Sequence, residues 1–306
     1  MEKVRRYSSN MTFRIKRIFL LLIVLFPTVV IAQSWENPLF TAIKQKSLAD
    51  IKKYIAQGHS VNEQDYAGCF PLEEAVTECC PVEILQYLVE QGAAINPKID
   101  SVNSESPLLR AVGMQEASLE TVQFLIKAGA DIKATDHYGQ TALMIAAHRV
   151  EDVQIINFLI KAGADIHVKE KNGMTALHCA ADSQKADTIR ILLQAGADIN
   201  AQTNNGDTPL IVALNTPASK YKAAEVLIKS GAKINIQNKD EMTALMCACK
   251  KNYYVAAIQL LLNSNADATL EDITGRTALD YFDGNKFIRE DPIRKTLKNA
   301  TYKKID

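Results

Sequence analysis

The sequence repeats one phrase at a nearly constant interval, and this repetition constrains the fold more than any other feature. KAGADI occurs at residues 127–132 and again at 161–166, and QAGADI follows at 194–199. A phrase that recurs every 33 or 34 residues is typical of one small structural unit stacked many times. Such units are stacked because each one buries its apolar face against its neighbours.

Two series of markers keep the same phase along the chain. Leucines that follow Pro or Ala recur every 33–36 residues, and glycines recur further on in each unit, with an asparagine in the last place. The leucines are Leu39, Leu72, Leu108, Leu143, Leu177, Leu210, Leu245 and Leu279. The second series is Gly58, Gly92, Gly129, Gly163, Gly196, Gly231 and Asn265. Two markers in one phase predict a repeat array.

Each unit carries signals for a turn, a helix start and a helix end. Gly139 suits a tight turn that needs a positive φ, and the hydroxyl of Thr141 is placed to cap the helix that follows. Pro209 fits the first turn of a helix, where its missing N–H costs little. Gly163 predicts that the helix ends in a left-handed backbone conformation. Asn265 takes the corresponding place at the end of the series, and asparagine tolerates the same backbone conformation.

The phrases GQTAL at 139–143, GMTAL at 173–177, GDTPL at 206–210 and GRTAL at 275–279 resemble the ankyrin repeat. The resemblance covers residues 37–297. It implies an all-α ankyrin-repeat solenoid of helix–turn–helix units with β-turn fingers along one edge. We expect about seven to eight repeats, including the caps. Two fingers depart from the pattern: the third, within residues 100–109, lacks its glycine, and Glu241 replaces the glycine of the seventh.

The N-terminal segment differs from the array. Basic residues precede the uncharged run IFLLLIVLFPTVVIA at 18–32. Val30 and Ala32 fit a signal-peptidase site, so we expect a cleaved signal peptide at 1–32 and a mature chain from Gln33. An uncleaved membrane anchor is the alternative, and translation from Met11 would shorten the segment. The array then occupies 33–306, with an N-terminal cap at 36–64, inner repeats at 65–270 and a C-terminal cap at 271–306.

The charge balance bears on the class of partner. The chain has 35 Lys and Arg against 35 Asp and Glu, so it lacks the basic excess typical of a nucleic-acid binder. Seven Lys or Arg residues lie between Lys286 and Lys304. We interpret this basic tail as a solvated cap, and attraction to a membrane surface is the alternative.

The cysteines and histidines form no recognisable catalytic or metal-binding motif. We interpret most of the six cysteines as small core residues, with a redox or metal role for Cys69, Cys79 and Cys80 as the alternative. His178 follows the TAL phrase, where the resemblance implies that it holds the turn through a hydrogen bond. We therefore predict no enzymatic activity, no cofactor and no metal.

The fingers supply the candidate binding residues, because they vary without disturbing the core. Tyr66 and the helix-end pair His148 and Arg149 are expected to face the same side. Tyr, Arg and Met are enriched at interfaces. The candidates are Tyr66, His137, Tyr138, Gln140, His148, Arg149, Lys171, Asn172, Met174, Asn205, Asp207, Lys239, Asp240 and Met242.

These features predict a monomeric, non-catalytic scaffold that binds a protein partner. The signal segment resembles that of exported ankyrin proteins of bacteria, which implies a periplasmic or extracellular location. One alternative is an envelope protein that associates with a membrane surface or polymer through the basic tail. Another is a secreted effector or inhibitor.

Overall fold

The computed structural model describes residues 37–98, 105–114, 116–216, 221–251, 255–284 and 292–302. The predicted signal peptide and its alternative, the membrane anchor, lie outside these ranges. So do residues 100–104 of the third finger and parts of the basic tail, at 286–291 and 303–304.

The described part of the chain contains sixteen helices and no strand, and consecutive helices pack in eight pairs. The first helix of each pair is α1 (Pro38–Lys44), α3 (Pro71–Thr77), α5 (Pro107–Gly113), α7 (Ala142–Arg149), α9 (Ala176–Asp182), α11 (Pro209–Asn215), α13 (Ala244–Lys251) or α15 (Ala278–Asp283). The second helix is α2 (Leu48–Ala56), α4 (Val82–Glu90), α6 (Leu119–Lys127), α8 (Val153–Lys161), α10 (Ala186–Gln194), α12 (Lys222–Lys229), α14 (Val255–Asn263) or α16 (Pro292–Tyr302).

The first helices begin where the sequence signals place them. Thr141 accepts a hydrogen bond from the backbone N–H of Met144, and Thr208 does the same for Ile211. Pro209 occupies the first turn of α11. These caps satisfy N–H groups that have no partner inside the helix.

The core runs through the stack as one continuous layer. First helices pack on first helices from α1 to α15, and second helices pack on one another from α4 to α16. All eight leucines of the repeat series are buried, each with 7% or less of its surface exposed. The prediction of an all-α repeat solenoid is therefore confirmed, and eight pairs agree with the expected number of repeats.

The first seven second helices each end in a left-handed turn and an exit segment that leads to the next finger. Gly163 has φ +95°, and Asn265 takes the same role with φ +64°, as predicted. Exit asparagines connect neighbouring repeats. The side chain of Asn62 donates to Gly92 O (2.8 Å) and accepts from Ala94 N (2.7 Å).

The same two bonds, which we call the exit clip, recur at two further junctions, and one of the two recurs at a third. Asn96 donates to the exit glycine of the next repeat and accepts from Asp131 N. Asn235 does so with Asn265 O and Asp267 N, and Asn200 accepts from Lys233 N. Lys133 and His167 occupy the corresponding positions of the two middle junctions.

His178 connects a helix start to the next repeat. Its Nδ1 accepts from the backbone N–H of Thr175 (3.1 Å), so the ring is neutral and its Nε2–H donates to Asp207 O (3.1 Å). This confirms the predicted turn-holding role. Burial lowers the pKa of His178 to about 4.

The buried ring makes stability depend on pH in a defined window. An unfolded histidine has a pKa of about 6.5, so the unfolded chain binds more protons than the folded chain once the pH falls below that value. Stability due to His178 is full above pH 6.5 and is lost as the pH falls toward the folded pKa of about 4, by roughly 3 kcal/mol in total. Urea unfolding measured between about pH 7 and about pH 4.5 should show this decline.

The variant His178→Gln should be less stable near neutral pH but should lose less stability on acidification. His167→Gln, which changes an exposed ring, is the control and should keep the slope of the parent chain. An unchanged slope in His178→Gln would contradict the assignment.

Candidate functional site

The fingers share one turn geometry, which is described for six of them. The backbone N–H of the first residue donates to the carbonyl of the fifth, and its carbonyl accepts from the N–H of the fourth. Its side-chain oxygen accepts hydrogen bonds from the backbone N–H groups two and four residues later. Any short side chain with an acceptor oxygen serves this purpose, and one glutamate also does. The first residues are Asp65, Asp136, Glu170, Thr203, Asn238 and Asp272.

Backbone hydrogen bonds join the last five fingers into one row. Each bond runs from an N–H near one tip to a carbonyl of the preceding tip, with N···O distances of 2.8–3.1 Å. The bonds are Lys171 to Tyr138, Asn204 to Asn172, Lys239 to Asn205, and Ile273 to Asp240. We call residues 136–140, 170–174, 203–207, 238–242 and 272–276 the finger row.

Close contact between fingers places a second constraint on one glycine of the turns. A Cβ atom at Gly173 would lie 2.6 Å from both the backbone N and the side-chain Oδ1 of Asn204. Gly173 also has φ +80°. The residue is therefore required both by the left-handed backbone and by the neighbouring finger.

Most predicted residues of the fingers are accessible. Tyr66 and Tyr138 are 90% and 56% exposed, and the His137 ring lies 3.7 Å from the Tyr138 ring, centroid to centroid. Gln140 is half-buried. The other exposed candidates on the fingers are Lys171, Asn172, Asn205, Lys239 and Asp240.

Three predicted residues make contacts within the protein. Met242 is only 8% exposed and belongs to the core, and Met174 is half-buried against the core. Both are the fifth residue of their turn, where the chain enters the first helix of the repeat. Their side chains therefore contact the core and are not free at the tip, contrary to the expectation from the sequence. Asp207, also a fifth residue, accepts from the Asn238 side chain (2.7 Å) and holds the next finger.

The helix-end pair lies at the other end of the first helices. His148 and Arg149 are exposed at the end of α7, while the fingers precede its start, about 12 Å away at 1.5 Å per residue. His148 Nδ1 lies 2.7 Å from Ser183 Oγ, and Arg149 donates to Gly113 O (3.0 Å). The structure therefore does not bring this pair to the finger tips, and the pair links neighbouring repeats instead.

One exposed side chain of the finger row was missed from the sequence. Ile273 is 67% exposed, although large aliphatic side chains are usually buried. It occupies the second position of its finger, as His137 and Lys171 do in theirs. Counting from the first residue of each turn would have found it.

The last finger is locked by a buried carboxylate. Burial alone would raise the pKa of Asp272, but hydrogen bonds from Tyr281, Thr274 and the backbone N–H of Arg276 outweigh it and hold the pKa well below its usual range. Burial and the bond to Asp272 raise the pKa of Tyr281 to about 12. The Arg276 guanidinium lies 4.6 Å from the Tyr281 ring centroid, so the group is rigid and its polar atoms are engaged.

The remaining candidates for chemistry are the cysteines and possible metal ligands. The six cysteines are free thiols, and burial raises the pKa of Cys69 and Cys80 to about 11 and of Cys179 to about 12, which disfavours the nucleophilic thiolate. Across the described ranges, no three His, Cys, Asp or Glu side chains are placed to bind a metal ion.

The described part of the basic tail is α16. Its buried face carries Ile293 and Leu297, and Arg294 forms a bidentate pair with Asp283 at 2.6 and 2.7 Å. Within the described ranges, no helix is long and apolar enough to cross a membrane.

Gly173→Ala tests the contact between fingers. Gly129→Ala is the matched control, because Gly129 has φ +99° but open space around its Cβ position. The control should cost about 1–2 kcal/mol through backbone strain alone, and Gly173→Ala about 1–3 kcal/mol more through the clash with Asn204. Urea unfolding midpoints give both values. Equal losses would show that the fingers do not touch as described.

Comparison with known proteins supports the same architecture. The family model described as "Ankyrin repeats (3 copies)" matches residues 96–169, 143–238 and 217–282. No curated protein matches the chain. Because the matched segments together span more than half of the 306 residues, the chain belongs to the ankyrin-repeat family.

Proposed function

We propose that this chain is a non-catalytic, monomeric scaffold that binds a protein partner through its finger row. Ankyrin repeats generally mediate protein–protein interaction, and proteins built from them are typically non-catalytic. The observation that carries the proposal is the set of backbone hydrogen bonds that joins five fingers into one continuous row. A rigid row loses little conformational freedom on binding.

The tips of this row have the composition of a recognition surface. His137 and Tyr138 form an exposed aromatic pair on the first finger of the row. Lys171 and Lys239 contribute cations, Ile273 contributes an apolar group, and amides lie between them. Aromatic anchors surrounded by polar groups are typical of protein interfaces.

The helix-end pair has a supporting place in the proposal. His148 and Arg149 are exposed but bonded to the neighbouring repeats. They therefore connect neighbouring repeats at the helix ends, and a partner that reaches across the first helices would contact them in addition to the fingers.

We also propose that the protein is exported and acts in the periplasm or outside the cell. The support is the sequence of residues 1–32, in which basic residues precede an apolar run and a small-residue cleavage site. A partner is therefore sought among envelope or extracellular proteins.

A triple variant tests the finger row. A partner is first isolated from envelope extract with residues 33–306 as bait, and its Kd is then measured with purified components. Replacing His137, Tyr138 and Lys171 by Ala should weaken binding about thirtyfold, the effect of losing one interface hot spot of about 2 kcal/mol. Circular dichroism should not change, since all three side chains are exposed.

A second triple variant is the control. His167, Tyr302 and Lys161 have the same residue types and are also exposed, but they lie on exit segments or helices outside the fingers. Replacing them by Ala should leave the Kd unchanged. If the control loses affinity and the finger variant does not, the binding surface lies away from the finger row.

Sequencing the N-terminus of the exported protein tests the location. The mature chain should begin at Gln33 and appear in the soluble envelope fraction. A chain that begins at Met1 or Met11 in the membrane fraction would favour the uncleaved anchor.

A further inference from the structure

Two neighbouring fingers carry the dipeptide Asn-Gly at the same place in the turn. They are Asn172–Gly173 and Asn205–Gly206, and both asparagines are exposed. Asparagine is a thermolabile residue. A following glycine increases its reactivity because no side chain shields the backbone nitrogen that attacks the amide. The two sites therefore form a natural pair for comparison.

We propose that Asn205 is a site of spontaneous deamidation and that Asn172 is protected from it. In this reaction the Gly206 backbone nitrogen loses its proton to solvent base and attacks Cγ of Asn205. A C–N bond forms, and the side-chain nitrogen takes up a proton and leaves as ammonia. Water then opens the cyclic imide at either carbonyl, which yields aspartate or isoaspartate without oxidation or reduction.

The backbone arrangement is the same at both sites and does not separate them. The attacking N–H of Gly173 donates to Glu170 O at 2.8 Å, and that of Gly206 donates to Thr203 O at 2.9 Å. Both glycines are left-handed, with φ +80° and +81°. Any difference in reactivity must therefore come from the side chains.

The first residue of the turn supplies that difference. Glu170 accepts the Asn172 N–H at 2.9 Å and the Asn172 side-chain amide at 3.2 Å. The second bond restrains the amide that must rotate toward Gly173. The carboxylate also opposes the negative charge that develops on the attacking nitrogen.

In the other finger the first residue of the turn is Thr203, whose side chain carries no charge. Its hydroxyl accepts the N–H groups of Asn205 (3.2 Å) and Asp207 (3.1 Å). Among the described residues, nothing hydrogen-bonds to the Asn205 side chain. The Asp207 carboxylate, two residues further on, accepts instead from the Asn238 side chain.

Reaction at Asn205 would alter the middle of the finger row. Either product adds a carboxylate between Lys171 and Lys239. In the isoaspartate product the backbone runs through Cβ and Cγ, and the Asn205 carbonyl, which accepts from Lys239 N at 2.9 Å, leaves the backbone and becomes the free carboxylate. The finger row would then change in charge, and one of its backbone-to-backbone connections would be altered as the protein ages.

The test follows both sites in one sample. Full-length chain is incubated at neutral pH and physiological temperature, digested with trypsin and analysed by fragmenting mass spectrometry, with an unincubated sample as the zero point. Trypsin separates the sites, because it cuts after Lys171 and Arg190. Replacement of NH by O should accumulate about tenfold faster at Asn205 than at Asn172, the effect of one hydrogen bond to a charged group.

Exchanging the first residues of the turns provides the decisive variants. Glu170→Thr should raise the rate at Asn172 to about that of Asn205, and Thr203→Glu should lower the rate at Asn205 to about that of Asn172. In urea the two rates should converge, since the protection belongs to the folded turn. Equal rates in the folded parent chain, or rates that do not respond to the exchange in variants with unchanged circular dichroism, would overturn the proposal.

Discussion

Burial of one leucine layer between successive repeats is the interaction on which the rest of the structure depends. A single helix pair cannot cover its own apolar surface, so each repeat is stable only against its neighbours. The eight leucines of the series lie at the centre of this layer, and all are buried. The fingers, exits and helix ends take their positions from that stack, because they are the connections between its layers.

The parts of the fold that follow from backbone demands could be predicted from the sequence. Thr141 caps a helix because a hydroxyl in that place reaches an N–H left without a partner, and Asn265 ends one because it tolerates the left-handed conformation. Each of these requirements restricts one position of the repeat to a few residue types. The restriction can be read in one repeat and checked at the same position of the next repeat.

The candidate site could be predicted only in outline. Whether a side chain of the turn is exposed or buried depends on its position counted from the first residue of the turn. In the sequence Met242 lies beside the residues of a finger tip. In the structure the chain enters the helix at this residue, and the side chain is buried. Ile273 occupies a true tip position but is an aliphatic residue usually found in cores. Glu241 takes φ +58° without being glycine, and Gln184 takes φ +56° at the end of α9. Gln184 is held there by bonds to Ala213 O and Ala223 N of the next repeat, which lie far away in the sequence.

The exit clips have a mechanical consequence. Asn62, Asn96, Asn200 and Asn235 each connect one exit segment to the next, whereas Lys133 and His167 make no such bond among the described residues. When a solenoid is stretched along its length, a junction that lacks an exit asparagine transmits the load through its other contacts. The two junctions between residues 129 and 196 therefore transmit it through the helix-end bonds of His148 and Arg149 and the backbone bond between fingers, whereas the flanking junctions share it with their exit asparagines.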